Sequence, residues 1–222
     1  MSKNIVIVGM GGHGKVVASI VRDLDYNIVG YVDIKDGGKI DDINYIGTDS
    51  ELKEIKTKYN CTCAAIGVGH LYDASLRMKI YAKIKDAGYN LPVLASPFSK
   101  VDKFTNIGEG TVVMPGAVIN TGTKIGKCGI INTCASIDHD CIIEDFVHIS
   151  PNATLCGSVF VGYNAHVGAG ATVKQCIKIS RETVVGLNAA VVKNCDSNSI
   201  YFGVPAIKIK SMQEFLEEKR NV

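Results

Sequence analysis

The 222 residues carry a formal charge of +2, and their 24 basic and 22 acidic side chains are spread along the whole length, so no basic face is reserved for nucleic acid. No apolar run reaches eighteen residues, and Met1-Ser2-Lys3 leads straight into Ile5-Val6-Ile7-Val8 rather than into a leader, so no membrane insertion is expected. Eight cysteines in such a chain read as reduced, small apolar thiols of a cytoplasmic protein, and Cys61-x-Cys63 has neither metal nor redox spacing.

The first hundred residues alternate between short apolar runs and helical patterns. Strands are expected over 5–9, 28–32, 62–66 and 91–94, and helices over 14–24, 49–58 and 74–87. This predicts a small parallel α/β sheet, half of a Rossmann-like domain, over residues 1–96. Between the first strand and helix, Gly9-Met10-Gly11-Gly12-His13-Gly14 satisfies GxGxxG, and Asp33 ends the next strand. That is the dinucleotide pattern, in which glycines allow a tight turn and a phosphate rests on a helix N-terminus. The segment has room for one βαβαβ half and not two, and no second catalytic α/β domain follows. The loop is therefore read as holding the diphosphate of a nucleotide-linked small molecule rather than NAD, with Asp33 or Asp36 accepting from base or ribose. A purely structural glycine turn is the alternative. Gly67-Val68-Gly69 is a second backbone approach at the same sheet edge.

After Ser96-Pro97 a different rule takes over. An aliphatic residue falls at every sixth position from Val101 through Ile107, Val113, Ile119 and so on to Val191, and the fifth position of each unit stays small, as in Thr111, Ala117, Ala135, Ala153 and Ala189. Neither 3.6 nor 2 fits this period. Sixteen units in one phase predict a parallel β-helix over residues 97–222, three units to a coil, ending in a short helix after a break at Tyr201–Ala206. Residues eighteen apart then stack at about 4.8 Å, so Val101, Ile119, Ile137, Leu155, Val173 and Val191 form one interior column. Ile130, Phe146 and Phe160 fall on outward positions, and their need for cover predicts side-by-side association of subunits.

The most polar stretch of the rod is Ile137-Asp138-His139-Asp140. Thr121 falls one coil below His139 and Gly157 one coil above, where a glycine leaves a gap for a thin group. Asn132 is second in its unit, and His148 is sixth in its own, at a corner, with His166 stacked parallel above it. A histidine beside an aspartate is either a general base with its orienting carboxylate or surface decoration. Three histidines in this arrangement form no clear ligand set, so no metal is expected. Cys141 and Cys156 lie next to interior positions and lack a base, which speaks against a thiol nucleophile.

At these residues the sequence resembles the sialic-acid O-acetyltransferase/bacillosamine N-acetyltransferase family, bacterial nucleotide-sugar acetyltransferases of the left-handed β-helix superfamily. The matching pieces are the glycine loop with His13, Tyr31-Val32-Asp33, Ile131-Asn132-Thr133, Ile137-Asp138-His139-Asp140, Phe146-Val147-His148-Ile149-Ser150-Pro151 and Gly203-Val204-Pro205-Ala206, which together cover nearly the whole length. The resemblance implies a homotrimer with active sites between neighbouring rods. It implies His139 as general base, Asp140 holding its ring, and Asn132 and His148 lining the same pocket. Gly11, Gly12, His13 and Asp33 would bind the nucleotide, beside Asp36 and Gly67. Acetyl-CoA, the co-substrate, would lie past the upper coils along His148, Gly157, His166, Gly168 and Gly186. Many N-acetylating members carry Glu where this chain has Asp140, whose shorter arm can still reach the ring. The activity implied is N-acetylation of the 4-amino group of a nucleotide-linked 4-amino-4,6-dideoxysugar for glycan synthesis. O-acetylation of a sialic acid is the enzymatic alternative, and a non-catalytic nucleotide-sugar-binding rod is the other.

Overall fold

The computed structural model describes residues 3–220, so Met1 and Ser2 of the start discussed above lie outside the described residues. Two compact units result: residues 3–70 with 74–97, and residues 98–220 with 71–73.

In the first unit, β1 (Asn4–Val8) is followed by α1 (Gly12–Asp23), β2 (Asn27–Val32), β3 (Lys39–Ile40), β4 (Ile43–Gly47), α2 (Leu52–Lys58), β5 (Cys63–Ile66) and α3 (Ser75–Asp86). The sheet order is β3-β4-β2-β1-β5, parallel except for the β3–β4 hairpin. Central β1 is buried from Ile5 to Val8, which is why it reads as an unbroken apolar run rather than an alternating one. The hairpin was not expected. Its strands are too short to show a period, and what holds it is tertiary: Ile43 packs with Ile7, Met10, Ala18 and Tyr31, and the Tyr31 and Tyr45 rings meet edge to face at 5.6 Å. The strand expected over 91–94 is reduced to Leu94–Ala95.

The second unit is a left-handed β-helix. Sixteen two-residue strands, from Lys100–Val101 to Ala190–Val191, recur every six residues and pair in parallel with the strand eighteen residues away. The fifth and first positions of consecutive units point inward and the sixth points out, the alternation any strand imposes. The interior is therefore built from fully buried pairs such as Ala135 with Ile137 and Ala153 with Leu155. The fourth position of each unit from Gly110 to Asn188 has positive φ, held either by glycine or by residues such as Asp140, Asn152 and Asn164. Asn and Asp tolerate that conformation better than other side chains, which explains their frequency at the corners.

Three sequence expectations are corrected here. The break expected over 201–206 starts later: Ile200 and Tyr201 still pair in parallel with Val184 and Val185, the chain turns only over 203–206, and Ile207–Ser211 returns antiparallel before α4 (Met212–Arg220). Ile130 and Phe146 are buried within the single chain, which leaves half-buried Phe160 alone of the three outward residues to call for cover. His148 is not at a corner, because sixth positions lie on the flat strands and the turns fall at positions three and four. On the face carrying His148, the outward residues Val112, Ile130, His148, His166, Val184 and Ile200 are all buried. Part of their cover is an excursion of remote chain: Tyr72 packs edge to face on Phe215 of α4 at 5.1 Å, and both pack against Val184, Ile200 and Met212.

Candidate active site

His139 occupies the third position of its unit, at the edge joining the face of Ser136–Ile137 to the face of Ile142–Ile143. The turn is clamped from the coil below. Thr123 Oγ1 donates to the Asp138 carbonyl at 2.9 Å and accepts the Cys141 N–H at 3.2 Å, while the Asp140 N–H donates to the Thr121 carbonyl at 3.0 Å. His139 Nδ1 lies 2.9 Å from Asp140 Oδ2, and its own backbone N–H donates to Asp138 Oδ1 at 2.8 Å. The Asp140 hydrogen bond raises the imidazole above its ordinary pKa, with the Asp138 charge adding to it and partial desolvation opposing. A Cβ added at Gly157, directly above, would stand 2.6 Å from His139 Nε2. The glycine is what leaves the ring its place. This separates Gly157 from the other expected co-substrate residues, which lie elsewhere.

Those residues meet on the third face. Asn132, His148, Ser150, His166, Gly168 and Gly186, with Leu71, Tyr72, Leu187 and Phe202, line a cavity of about 270 Å³. Asn132 Oδ1 accepts the Thr133 N–H at 2.8 Å, which orients the amide so that Nδ2 faces His148 Nε2 at 3.0 Å. Nε2 must then accept, and the proton of the neutral ring sits on Nδ1. The His148 and His166 rings meet at 5.0 Å and 87°, edge to face rather than in the parallel stack expected from spacing. Burial, with His148 adding to it, pushes His166 down to about 3. Its Nε2 is 3.3 Å from Ser150 Oγ, and its buried Nδ1 has no hydrogen-bond partner among the described residues. Gly168 and Gly186 also have packing reasons to be glycine. A Cβ at Gly168 would stand 2.6 Å from the Gly186 carbonyl carbon, and one at Gly186 would enter the Phe202 ring.

In a triangular prism, the edge between two faces is opposite the third. His139 on its edge and His148 on its face therefore lie on opposite sides of one rod.

In the first unit, Gly9 turns with φ +91°, and Gly14 and Gly67 pack against its carbonyl with no room for a Cβ. Gly67 thus serves the crossing of two backbones. Gly11 and Gly12 are different: they are exposed at the start of α1, and a Cβ on either would meet nothing. Packing does not explain them, whereas a phosphate approaching the helix N-terminus would. Gly69 sits against His13, at 3.3 Å from an added Cβ to the His13 Cβ. Asp33 Oδ2 accepts the Met10 N–H at 3.0 Å and Oδ1 the Ile34 N–H at 2.7 Å, so this carboxylate first of all ties the glycine loop to β2. It also lines a cavity of about 120 Å³ with Gly9, Asp49, Val68, Leu76 and Ile80. Asp36 lies outside that cavity, exposed, where it caps the Gly38 N–H at 2.7 Å. Sequence reasoning missed Asp49, Tyr72 and Phe202, which come to these cavities from remote segments. Asn120, on Asp138 at 3.0 Å, was legible in the eighteen-residue spacing.

Cys141 is buried, donates to the Cys156 carbonyl at 3.3 Å and is pushed up by desolvation, which makes it a poor nucleophile. Among the described residues, no group of three or more His, Cys, Asp or Glu could hold a metal ion, and no helix is long and apolar enough to cross a membrane.

Parallel two-residue strands recurring every six residues define a β-helix of the hexapeptide-repeat class. Residues 4–84 match the PglD N-terminal domain family. The acetyltransferase domain of PglB from Neisseria gonorrhoeae FA1090, in complex with acetyl coenzyme A, superposes with a TM-score of 0.88 at 30% identity, covering 94% of this chain and 100% of that one. A histidine-to-asparagine variant of perosamine N-acetyltransferase from Caulobacter crescentus, in complex with CoA and GDP-perosamine, superposes with a TM-score of 0.89 at 31% identity, over 94% and 97% of the two chains. GDP-perosamine N-acetyltransferase of Escherichia coli O157:H7 is 28% identical over 189 residues, 81% of each chain. The chain belongs to the nucleotide-sugar N-acetyltransferases of the hexapeptide-repeat family, acetyl-CoA-dependent enzymes that act on nucleotide-linked aminosugars.

Proposed function

We propose that the protein transfers acetyl from acetyl-CoA to the 4-amino group of a nucleotide-linked 4-amino-4,6-dideoxysugar, with His139 as general base. The observation that carries this reading is the His139–Asp140 pair: Asp140 engages Nδ1 at 2.9 Å, which leaves Nε2 to accept a proton. The amine nitrogen attacks the thioester carbonyl carbon while Nε2 takes its proton. The tetrahedral intermediate collapses with cleavage of the C–S bond, and the imidazolium returns the proton to the thiolate, giving amide and free CoA thiol. Asp140 favours the imidazolium as it forms. With both substrates held side by side, no acyl-enzyme is required.

The acceptor's nucleotide is assigned to the first unit, its diphosphate at Gly11, Gly12 and His13, and its base or ribose in the Asp33 cavity. The co-substrate is assigned to the cavity of His148 and His166. Since His139 and His148 lie on opposite sides of one rod, a site using both is shared between neighbouring rods, which supports a homotrimer. Support for the substrate class comes from the relatives named for GDP-perosamine.

The test mixes acetyl-CoA with UDP-, GDP- and dTDP-linked 4-amino-4,6-dideoxysugars and follows free thiol. Thiol release with at least one of them is expected. Release with free sialic acid and none of the three would overturn the acceptor while leaving acetyl transfer in place. Sedimentation equilibrium at micromolar concentration should give a trimer, and a monomer would remove the shared site.

A further inference from the structure

Beside the His139–Asp140 pair stands a second carboxylate that the mechanism above does not use. Asp138 Oδ1 receives two hydrogen bonds, from the His139 backbone N–H at 2.8 Å and from Asn120 Nδ2, one coil below, at 3.0 Å. The same residue's carbonyl is held by Thr123 at 2.9 Å. Both ends of Asp138 are thus tied to the lower coil, and its carboxylate in turn holds the residue that carries the imidazole. The two donors keep the Asp138 carboxyl below its ordinary range, so it is charged wherever His139 titrates.

We propose that Asp138, clamped by Asn120, is a positioning residue of acetyl transfer: it fixes the backbone of His139 and keeps a second negative charge beside the imidazole, and so sets the pH at which the base becomes free. This rests on the reading of His139 as general base. The groups facing the imidazole bear it out. Its own turn supplies Asp138 and Asp140; the coil below supplies uncharged Asn120, Thr121 and Gly122; the coil above supplies Cys156, Gly157 and Ser158. In the Asn120–Asp138 column the next charges, Asp102 and Lys174, stand two coils from Asp138. Along this edge, from one coil below the ring to one coil above it, Asp138 and Asp140 are the only carboxylates, and they have different tasks. Asp140 holds the ring, and Asp138 holds the backbone that presents it.

Two substitutions separate geometry from charge. Asp138→Asn keeps an acceptor for the His139 N–H and removes the charge. Turnover on the pH plateau should stay within about threefold, while the acidic limb of the kcat profile moves down by roughly half a pH unit, the effect of one unit charge a few ångströms away in a water-like dielectric. Asp138→Ala removes both, and should lower plateau kcat roughly tenfold at unchanged KM, as expected for a misplaced base. Asn120→Ala, which loosens the clamp and keeps the charge, should lower kcat by a few-fold without moving the limb. Thermal unfolding of each variant establishes that it is folded. Wild-type plateau and limb in both Asp138 variants would overturn the proposal. Near-normal turnover in His139→Ala would instead overturn the general-base reading on which it stands.

Discussion

Two histidine sites on the same rod are driven in opposite directions. At the edge, the side chain of His139 is about half exposed, bonded to a carboxylate and raised in pKa; on the third face, His166 is 6% exposed, packed against the His148 ring and lowered to about 3. The first is the imidazole proposed above as the general base, and its carboxylate neighbours favour its protonated form. The other is held to its neutral form by burial, which suits it to shape and hydrogen bonding. The repeat supplies both positions on equal terms. What differs is cover: the edge faces solvent, while the face is roofed in part by Tyr72, Met212 and Phe215.

The largest effect that tests this contrast is on turnover. His139→Ala should lower kcat at least about 10²-fold with little change in substrate affinity, whereas His166→Leu should not abolish the chemistry. Steady-state kinetics of the two variants side by side would break the comparison if the losses were equal. Gly157→Ala comes next. Its methyl group would press on Nε2, the atom assigned to take the proton, so kcat should fall roughly tenfold with the fold intact.

Asp140→Asn should cost less, several-fold on the plateau. Because the Asp140 hydrogen bond raises the His139 pKa, its loss should let the base deprotonate at lower pH, and the acidic limb of kcat should move down. A limb that stays in place would detach Asp140 from the titration. The smallest effect concerns stability. Between the ordinary histidine value of 6.5 and about 3, the unfolded chain binds a proton at residue 166 that the folded chain refuses, so stability falls as the pH is lowered through this window. The slope from this one group is at most about 1.4 kcal/mol per pH unit. Urea unfolding at several pH values should show a shallower acid loss in His166→Leu than in the wild type.

Much of the candidate site could be read from spacing alone. The eighteen-residue stack puts Gly157 over His139 and Asn120 under Asp138, and the structure has both. The same map misjudged His148 by assigning it to a corner, because the period gives the length of a unit without saying where in it the chain turns. The positive φ at fourth positions locates the turns, and several of these are held by cysteine, phenylalanine or serine, which do not announce such a conformation.

The sequence by itself determined the rod, its interior columns, the glycine loop after β1 and the edge pair His139–Asp140. Each of these rests on local or strictly periodic relations, in which a strand pairs with its neighbour one coil away and no remote segment has to be known. Only the tertiary structure decided what the outward residues experience. The burial of His166 depends on a face roofed by the remote Tyr72 and by α4, the task of Asp33 depends on the Met10 N–H that its carboxylate meets, and the β3–β4 hairpin depends on a core it joins rather than on its own few residues. Burial is set by whatever chain returns to cover a surface, and a period of six carries no record of it.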